Sequence, residues 1–509
     1  MLQIHDLTIT LNENLHKILE HFTFTLNPGD RAVIIGEEGN GKSTLLKLIA
    51  DPMLVDSYAD YTGTILKGNG RLGYLAQELT EKEKAKTVYE YLLDSGAYDF
   101  LDARETAAIA AELRLSPEQL YSDQMVGTLS GGEKVKLQLS RILLCQPDIL
   151  LLDEPTNDID IDTLEWLEQF LLSCRLPVLY VSHDETLIER TANRIIHLEQ
   201  VRKKTVCRHT IASVPYRDYI DARSRALSHQ EQVARKEHAE HKKQMARWQQ
   251  IYQQVDHDQG AISRQDPHGG RLLKKKMKAV KSTGKRLERE AEDMAQLPDL
   301  EEALFLSFPP VSLPSSKQIL DFSLPVLETG GRVLSREIAL SVSGNPHLAI
   351  IGKNGAGKTT LLRQIAAVLL NRIDLKVAYM PQNYQDSLTL QKTPVEFLAS
   401  GGTRDEITRA RNFLGSVRFT RDEMSHTAGE LSGGQKAKLF FLKMVLDQND
   451  VLILDEPTRN FSPLSNPVIR QILKEYGGAI ISVTHDRKYL DEVCNQVYEL
   501  KPEGLLRLR

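Results

Sequence analysis

Cysteine is scarce in this 509-residue chain. Cys145, Cys174, Cys207 and Cys494 stand far apart without CxxC spacing, which excludes a disulfide framework and a thiolate zinc site. Long apolar runs are missing too: none approaches the roughly 18 to 20 residues that a membrane-spanning helix needs. The opening MLQIHDLTIT lacks the basic-then-apolar layout of a signal peptide, so the expectation is a cytoplasmic protein with no membrane partner. Neither sign of charge dominates, with 69 acidic against 64 basic residues, and the molecule as a whole is not a generic polyanion binder. An apolar content of 41% and a charged content of 26% exclude a largely disordered chain. Its length exceeds what one hydrophobic core usually serves, which predicts two or more domains.

What the chain does contain, it contains twice. Five short motifs recur in the same order, marked by Lys42 and Lys358, Gln77 and Gln382, Ser130 and Ser432, Asp153 and Asp455, and His183 and His485. The last three pairs are each 302 residues apart, the glutamines 305 and the lysines 316. The first half therefore carries eleven more residues between its lysine and its glutamine, read as a surface excursion around Met53 to Asn69, which loops tolerate at little cost. Between the halves the composition changes. Residues 202–293 hold 22 basic and 12 acidic residues, a net charge of +10 in a chain whose total is −5.

Residues 222–255 contain no Gly or Pro, and Met245, Trp248, Tyr252 and Val255 step at helical spacing. After Gly260, Pro267, Gly269 and Gly270, the positions Leu273, Met277, Val280, Gly284, Leu287, Ala291 and Met294 repeat as heptads. This predicts an antiparallel helical hairpin. The expected boundaries are a first domain at 1–214, a hairpin linker at 215–300 with an irregular tip near 254–270, and a second domain at 301–509.

AVIIGEEGNGKST at 32–44 and LAIIGKNGAGKTT at 348–360 each place a short apolar run before GxxxxGK[ST] and a helical pattern after it. Both are P-loops. Gly36, Gly39 and Gly41, like Gly352, Gly355 and Gly357, let backbone N–H groups turn toward phosphate oxygens at a helix N-terminus. Lys42 and Lys358 neutralise phosphate charge, and the hydroxyls at Ser43-Thr44 and Thr359-Thr360 face the same place, Ser43 and Thr359 toward Mg²⁺. ILLLDEPT at 149–156 and VLILDEPT at 451–458 are apolar strands ending in two carboxylates. Asp153 and Asp455 suit the shell of a Mg²⁺ ion, and Glu154 and Glu456 suit activation of a water molecule. The alternative is a pair of helix-capping acids.

LSGGE at 129–133 and LSGGQ at 431–435 resemble the signature of ATP-binding cassette (ABC) proteins. That resemblance implies an α/β fold of two P-loop nucleotide-binding domains, here joined by an α-helical antiparallel hairpin. It also implies two ATP molecules sandwiched head to tail, each contacted by Ser130, Gly131 and Gly132 or by Ser432, Gly433 and Gly434 of the opposite domain. By the same resemblance Gln77 and Gln382 are glutamine-loop residues near Mg²⁺, and His183 and His485 are switch histidines. No aromatic that would stack on adenine is evident in either half.

Two cassettes on one chain, joined by a charged hairpin, look like the ABC-F class, which acts on ribosomes. The segment EPTRNFSPLS at 456–465 resembles the branch of that class that protects ribosomes from antibiotics. The first cassette keeps EPTNDID with Asp160, whereas Phe461, Ser462 and Pro463 replace the second D-loop, so equal hydrolysis at the two sites is not expected. The segments between glutamine and signature, 51 and 48 residues long, leave no room for the long arm of many housekeeping members.

Arg271 to Arg289 holds nine basic residues and one acidic. Arg271, Lys274, Lys275, Lys276, Lys278 and Lys281 are the candidate contacts for RNA phosphates, against the alternative of a solvated coiled-coil face. Trp248 and Tyr252 are read as hairpin packing. The expected function is an ATPase that closes on two ATP and reaches the peptidyl-transferase region of the 70S ribosome, contacting 23S rRNA and P-site tRNA. It is expected to act as a monomer whose cassettes pair within the chain. Rival readings are a housekeeping translation factor and the ATP-binding subunit of a transporter.

Overall fold

The computed structural model describes residues 1–13, 15–68, 70–94, 103–201, 205–261, 267–293, 308–311, 313–384, 391–399, 401–417 and 419–509. It divides into two compact units, Met1–Tyr216 with Glu301–Arg509, and Arg217–Leu300.

The first unit holds two α/β cassettes built on one plan. In the first, a six-stranded sheet runs in the order Leu72–Leu75, Ile149–Asp153, Val178–Val181, Arg31–Ile35, Arg194–Val201, Val206–Ala212. The second repeats that order with Val377–Met380, Val451–Asp455, Ala479–Val483, His347–Ile351, Gln496–Lys501 and Gly504–Arg507. Five strands of each sheet are parallel and the last is antiparallel. The unbroken apolar runs ILLL and VLIL explain their central place, because a parallel strand covered on both faces has no polar side to present. Every residue of Ile149–Asp153 and Val451–Asp455 is buried. Both sequence-marked acids thus emerge at the carboxyl ends of inner strands, where open parallel sheets place their ligands.

Beside each large sheet lies a smaller antiparallel one, and here the halves differ. The first cassette pairs Lys17–Leu26 with Leu2–Leu11, and the latter also pairs with Ala59–Leu66. The second has only Gln318–Thr329 with Arg332–Ser343 among the described residues. The eleven extra residues of the first half are therefore not a loop excursion. After a short turn at Pro52–Leu54 they contribute a third strand, whose Tyr61, Thr62, Thr64 and Ile65 favour extended backbone and saturate the free edge of Leu2–Leu11.

The second unit is a pair of helices. Tyr216–Ala261 runs about 69 Å and Pro267–Asp293 about 40 Å at 1.5 Å per residue. The irregular tip expected near 254–270 is corrected: the first helix continues through 254–261, the second starts at Pro267, and 262–266 lie outside the described residues. One Gly in a last turn costs only about 1 kcal/mol, so Gly260 does not stop the first helix, and Pro is well suited to a first helical position. The expected seam is present, with Met277, Gly284 and Leu287 buried and Leu273 and Val280 half-buried, but Ala291 is exposed. Met294 lies outside the described residues. Arg271, Lys274, Lys275, Lys276, Lys278 and Lys281 are all exposed.

Trp248 packs in that seam. Its Nε1 donates to the Val280 carbonyl at 2.8 Å, and a Cβ on Gly284 would come within 2.7 Å of its ring. His241 Nε2 donates to the Leu287 carbonyl at 2.9 Å, fixing the same antiparallel register. Gly284→Val should therefore destabilise the hairpin by about 1–3 kcal/mol through overpacking. Limited proteolysis of the full chain, with cleavage accelerating between 217 and 293 and unchanged in the cassettes, would show it.

Candidate active sites at the cassette interface

Each P-loop leaves a buried strand and enters a helix, Lys42–Ala50 or Lys358–Leu370. A Cβ on Gly36 (φ 148°) would stand 2.3 Å from the Leu198 carbonyl, and Gly41 (φ 86°) sits in the left-handed region, so only glycine gives the loop this path. Neither helix has a side-chain N-cap, whereas the neighbouring helices at Ser130, Asp160, Ser432 and Asp486 all do. The uncapped amides are thus left for phosphate oxygens, which a helix N-terminus attracts. Lys42 Nζ donates to the carbonyls of Gly36 and Glu37 at 2.8 and 2.9 Å, and Lys358 Nζ repeats this with Gly352 and Lys353. Both ammonium groups are held inside the loop they serve.

Ser43 Oγ donates to Asp153 Oδ1 at 2.9 Å, and Thr359 Oγ1 to Asp455 Oδ1 at 3.4 Å. Burial pushes both aspartates up to about 6. Asp153 Oδ2 also accepts from Tyr74 at 3.3 Å, but the buried Asp455 Oδ2 has no hydrogen-bond partner. A hydroxyl beside a desolvated carboxylate with a free oxygen fits a hard divalent cation completed by phosphate and water. Among the described residues there is no group of three or more His, Cys, Asp or Glu placed to hold a metal without such help.

Glu154 and Glu456 follow with φ of 48° and 52°, a strained setting for a non-glycine residue that recurs at functional sites. Their surroundings then diverge. Glu154 Oε1 lies 3.2 Å from His183 Nε2, and Glu154 Oε2 accepts from Gln77 at 3.1 Å and from Asn157 at 2.6 Å. Burial opposes its charge, but His183, Lys42 and Asn157 hold it down to about 2. Glu456 lies 3.6 Å from His485, and burial followed by the charge of Asp455 pushes it up to about 8. Burial and then Lys358 push His485 down to about 3. The first glutamate is thus held in its charged form by its neighbours, whereas burial and Asp455 disfavour the charge of the second.

The cassettes meet head to tail. A cavity of about 960 Å³ brings Ser130 and Gly131 of the first signature together with Gly355, Gly357, Lys358, Thr359, Thr360, Gln382, Glu456 and His485 of the second cassette. At the opposite site the Gly434 N–H of the second signature donates to the carboxylate of Glu38 in the first P-loop, an anion standing where the resemblance implies a terminal phosphate. The Ser130 hydroxyl donates to its own Glu133 at 2.7 Å. His183 Nδ1 donates across the interface to the Phe461 carbonyl at 2.9 Å. Sequence reasoning does not single out Glu37, Glu38, Asn354 or Arg459, because they occupy the variable positions of motifs. Arg332 and Leu334 also line the large cavity, in a chain whose sequence offers no evident aromatic for a base.

A second set of cross-cassette contacts surrounds the helices that follow the two histidines. Arg470 donates to both carboxylate oxygens of Glu185 at 2.6 and 3.1 Å, and Lys488 reaches Glu185 at 3.2 Å and Glu189 at 2.6 Å. Arg487 donates to Glu168 and, at 3.3 Å, to Asp184. The acids all belong to the first cassette and the cations to the second.

Fold and geometry together define a pair of nucleotide-binding cassettes on a single chain, each completed by residues of the other. The family model described as ABC transporter matches residues 19–157 and 335–459, and the chain belongs to this ATP-binding cassette family and is an ATPase. Over nearly its whole length it is similar to the ABC transporter F family member 2 of Arabidopsis thaliana, at 26% identity covering 96% of this chain and 75% of that protein. It is likewise similar to the probable ATP-binding protein YheS of Escherichia coli K12, at 28% identity over 96% of this chain and 77% of YheS. Its fold resembles the archaeal ribosome recycling factor aABCE1, solved in complex with the archaeal ribosomal stalk protein aP1. The TM-score is 0.61 at 17% identity, covering 99% of this chain and 90% of that one. No helix among the described residues is long and apolar enough to cross a membrane.

Arg470 and Glu185 are almost wholly buried, so Arg470→Met should cost about 1–3 kcal/mol by leaving a desolvated carboxylate with Lys488 as its remaining cation, and adding Glu185→Leu should recover most of that loss. Chemical denaturation of the full chain, comparing the single and double variants, measures both.

Proposed function

We propose that this ABC-F-type ATPase binds two Mg-ATP between its cassettes and, while closed on them, holds its basic hairpin against ribosomal RNA. The observation that carries the reading is the head-to-tail pairing, in which each signature stands opposite the other cassette's P-loop. Closure in such a sandwich depends on terminal phosphates bridging the cassettes, and hydrolysis removes the bridge. Asp153 with Ser43, and Asp455 with Thr359, would hold Mg²⁺, which when bound neutralises phosphate charge. Glu154, paired with His183, would orient or deprotonate the attacking water at the first P-loop. The two sites would turn over at different rates, because burial and Asp455 disfavour the charge of Glu456 at the second and no aspartate stands at the D-loop position facing the first P-loop.

The exposed row Arg271, Lys274, Lys275, Lys276, Lys278 and Lys281 supports RNA binding through phosphates, with a steep salt dependence and no base code. The FSPLS segment supports the antibiotic-protection branch, in which the hairpin acts near the peptidyl-transferase region beside 23S rRNA and P-site tRNA.

Metal affinity should follow the raised aspartates. Mg²⁺ needs the deprotonated carboxylate, so below pH about 6 its affinity should fall about tenfold per unit at each site, measurable by Mg²⁺ titration of ATP-loaded protein between pH 5 and 8. The functional reading is tested with Glu154→Gln/Glu456→Gln, expected to bind ATP, fail to hydrolyse it and co-sediment with ribosomes only when ATP is present. Wild-type expression should raise a susceptible host's tolerance of lincosamides, pleuromutilins or group A streptogramins. Ribosome binding with unchanged tolerance would favour a housekeeping translation factor, and no ATP-dependent co-sedimentation would sink the ribosomal reading altogether.

A further inference from the structure

The two contacts between P-loop and opposing D-loop are built with opposite hydrogen-bond polarity. At the second P-loop, the Asn354 backbone N–H donates to Asp160 Oδ2 at 3.2 Å, and the Asn354 side chain donates to the Asp158 carbonyl. The loop donates and the D-loop accepts. Asp160 has no counterpart in the second cassette, since the residue 302 positions on is Ser462. At the first P-loop the roles are exchanged: Glu37 Oε1 accepts from Ser462 Oγ at 2.7 Å and from Ser465 Oγ, while Lys438 reaches its other oxygen at 3.1 Å.

Glu37 is almost fully buried, and a desolvated carboxylate persists only where donors surround it. Its position in the second P-loop is taken by Lys353. The carboxylate lost from one D-loop is thus found on the P-loop that faces it. This matters for chemistry because the peptide joining Phe461 to Ser462 carries the carbonyl that accepts a hydrogen bond from His183 Nδ1, and the other nitrogen of that ring lies beside Glu154.

We propose that Glu37 is a positioning residue for ATP hydrolysis at the first P-loop. It anchors Ser462 and Ser465 of the aspartate-free D-loop, and through the Phe461 carbonyl it sets the orientation of His183 against Glu154. Glu37 touches no reacting atom; it replaces in trans the acceptor that Asp160 supplies at the other site. The inference rests on the ATPase chemistry and is independent of any ribosomal role.

Three full-chain variants test it by steady-state ATP hydrolysis: Glu37→Gln, Ser462→Ala/Ser465→Ala, and Glu37→Gln/Ser462→Asp. The serine pair leaves the Glu37–Lys438 ion pair intact, so it reports even if Glu37→Gln folds poorly. The third variant gives the first site a donating P-loop and an accepting D-loop, the polarity of the other site, where the donor is Asn354 at the position that matches Glu38. The first two should lower kcat by about tenfold with the KM for ATP within about twofold, and the third should recover at least about threefold over Glu37→Gln. The proposal is overturned if the serine variant keeps kcat within about twofold of wild type, if the loss lies in KM alone, or if the polarity-restored variant is no faster than Glu37→Gln.

Discussion

Charge that has been withdrawn from water must find its counter-charge in the protein, and here it finds it across the cassette boundary. Glu37, Glu168 and Glu185 of the first cassette and Arg470 of the second are each almost wholly buried, and each takes a partner from the other half. A single desolvated ion is worth several kcal/mol of penalty when its partner is removed, so neither cassette is electrostatically complete alone. The P-loops, signatures and histidines are brought into register by a surface that only the opposite half can satisfy. Because the acids lie on one side and the cations on the other, a first cassette fits a second cassette better than it fits a copy of itself.

That boundary also makes the two nucleotide sites unequal. One has a charged glutamate gripped by His183, Gln77 and Asn157; the other has a glutamate whose charge is suppressed by burial and by Asp455. A duplicated gene product need not keep duplicated chemistry. Differences at variable motif positions, Glu37 against Lys353 and Ser462 against Asp160, accompany a reversal of which partner donates and which accepts, while the strand order of the two sheets stays the same.

The α/β plan and the placement of the phosphate-binding residues are legible in the sequence because they rest on fixed spacings with a physical cause. Glycines at a turn, a lysine and hydroxyl at a helix start, and acids at the end of an apolar strand leave little room for a different chemistry. What is not legible depends on long-range partners. The strand Ala59–Leu66 reads as a loop until the open edge of Leu2–Leu11 is seen beside it. Glu37 and Glu38 occupy positions where any residue is tolerated locally, and only the opposing cassette shows why acids stand there. The helix end at Ala261 escapes a reading by composition because glycine looks like a stop, whereas its cost within a long helix is small.

The tryptophan lodged over Gly284, with His241 tied to the Leu287 carbonyl, pins the two rods of the hairpin to one another at two heights. Sliding one rod along the other by a single turn would have to lift the indole out of its notch and break both ties at once. The hairpin is therefore stiff against internal shear, so a tilt imposed at its base is carried along its length as leverage and not dissipated as slippage.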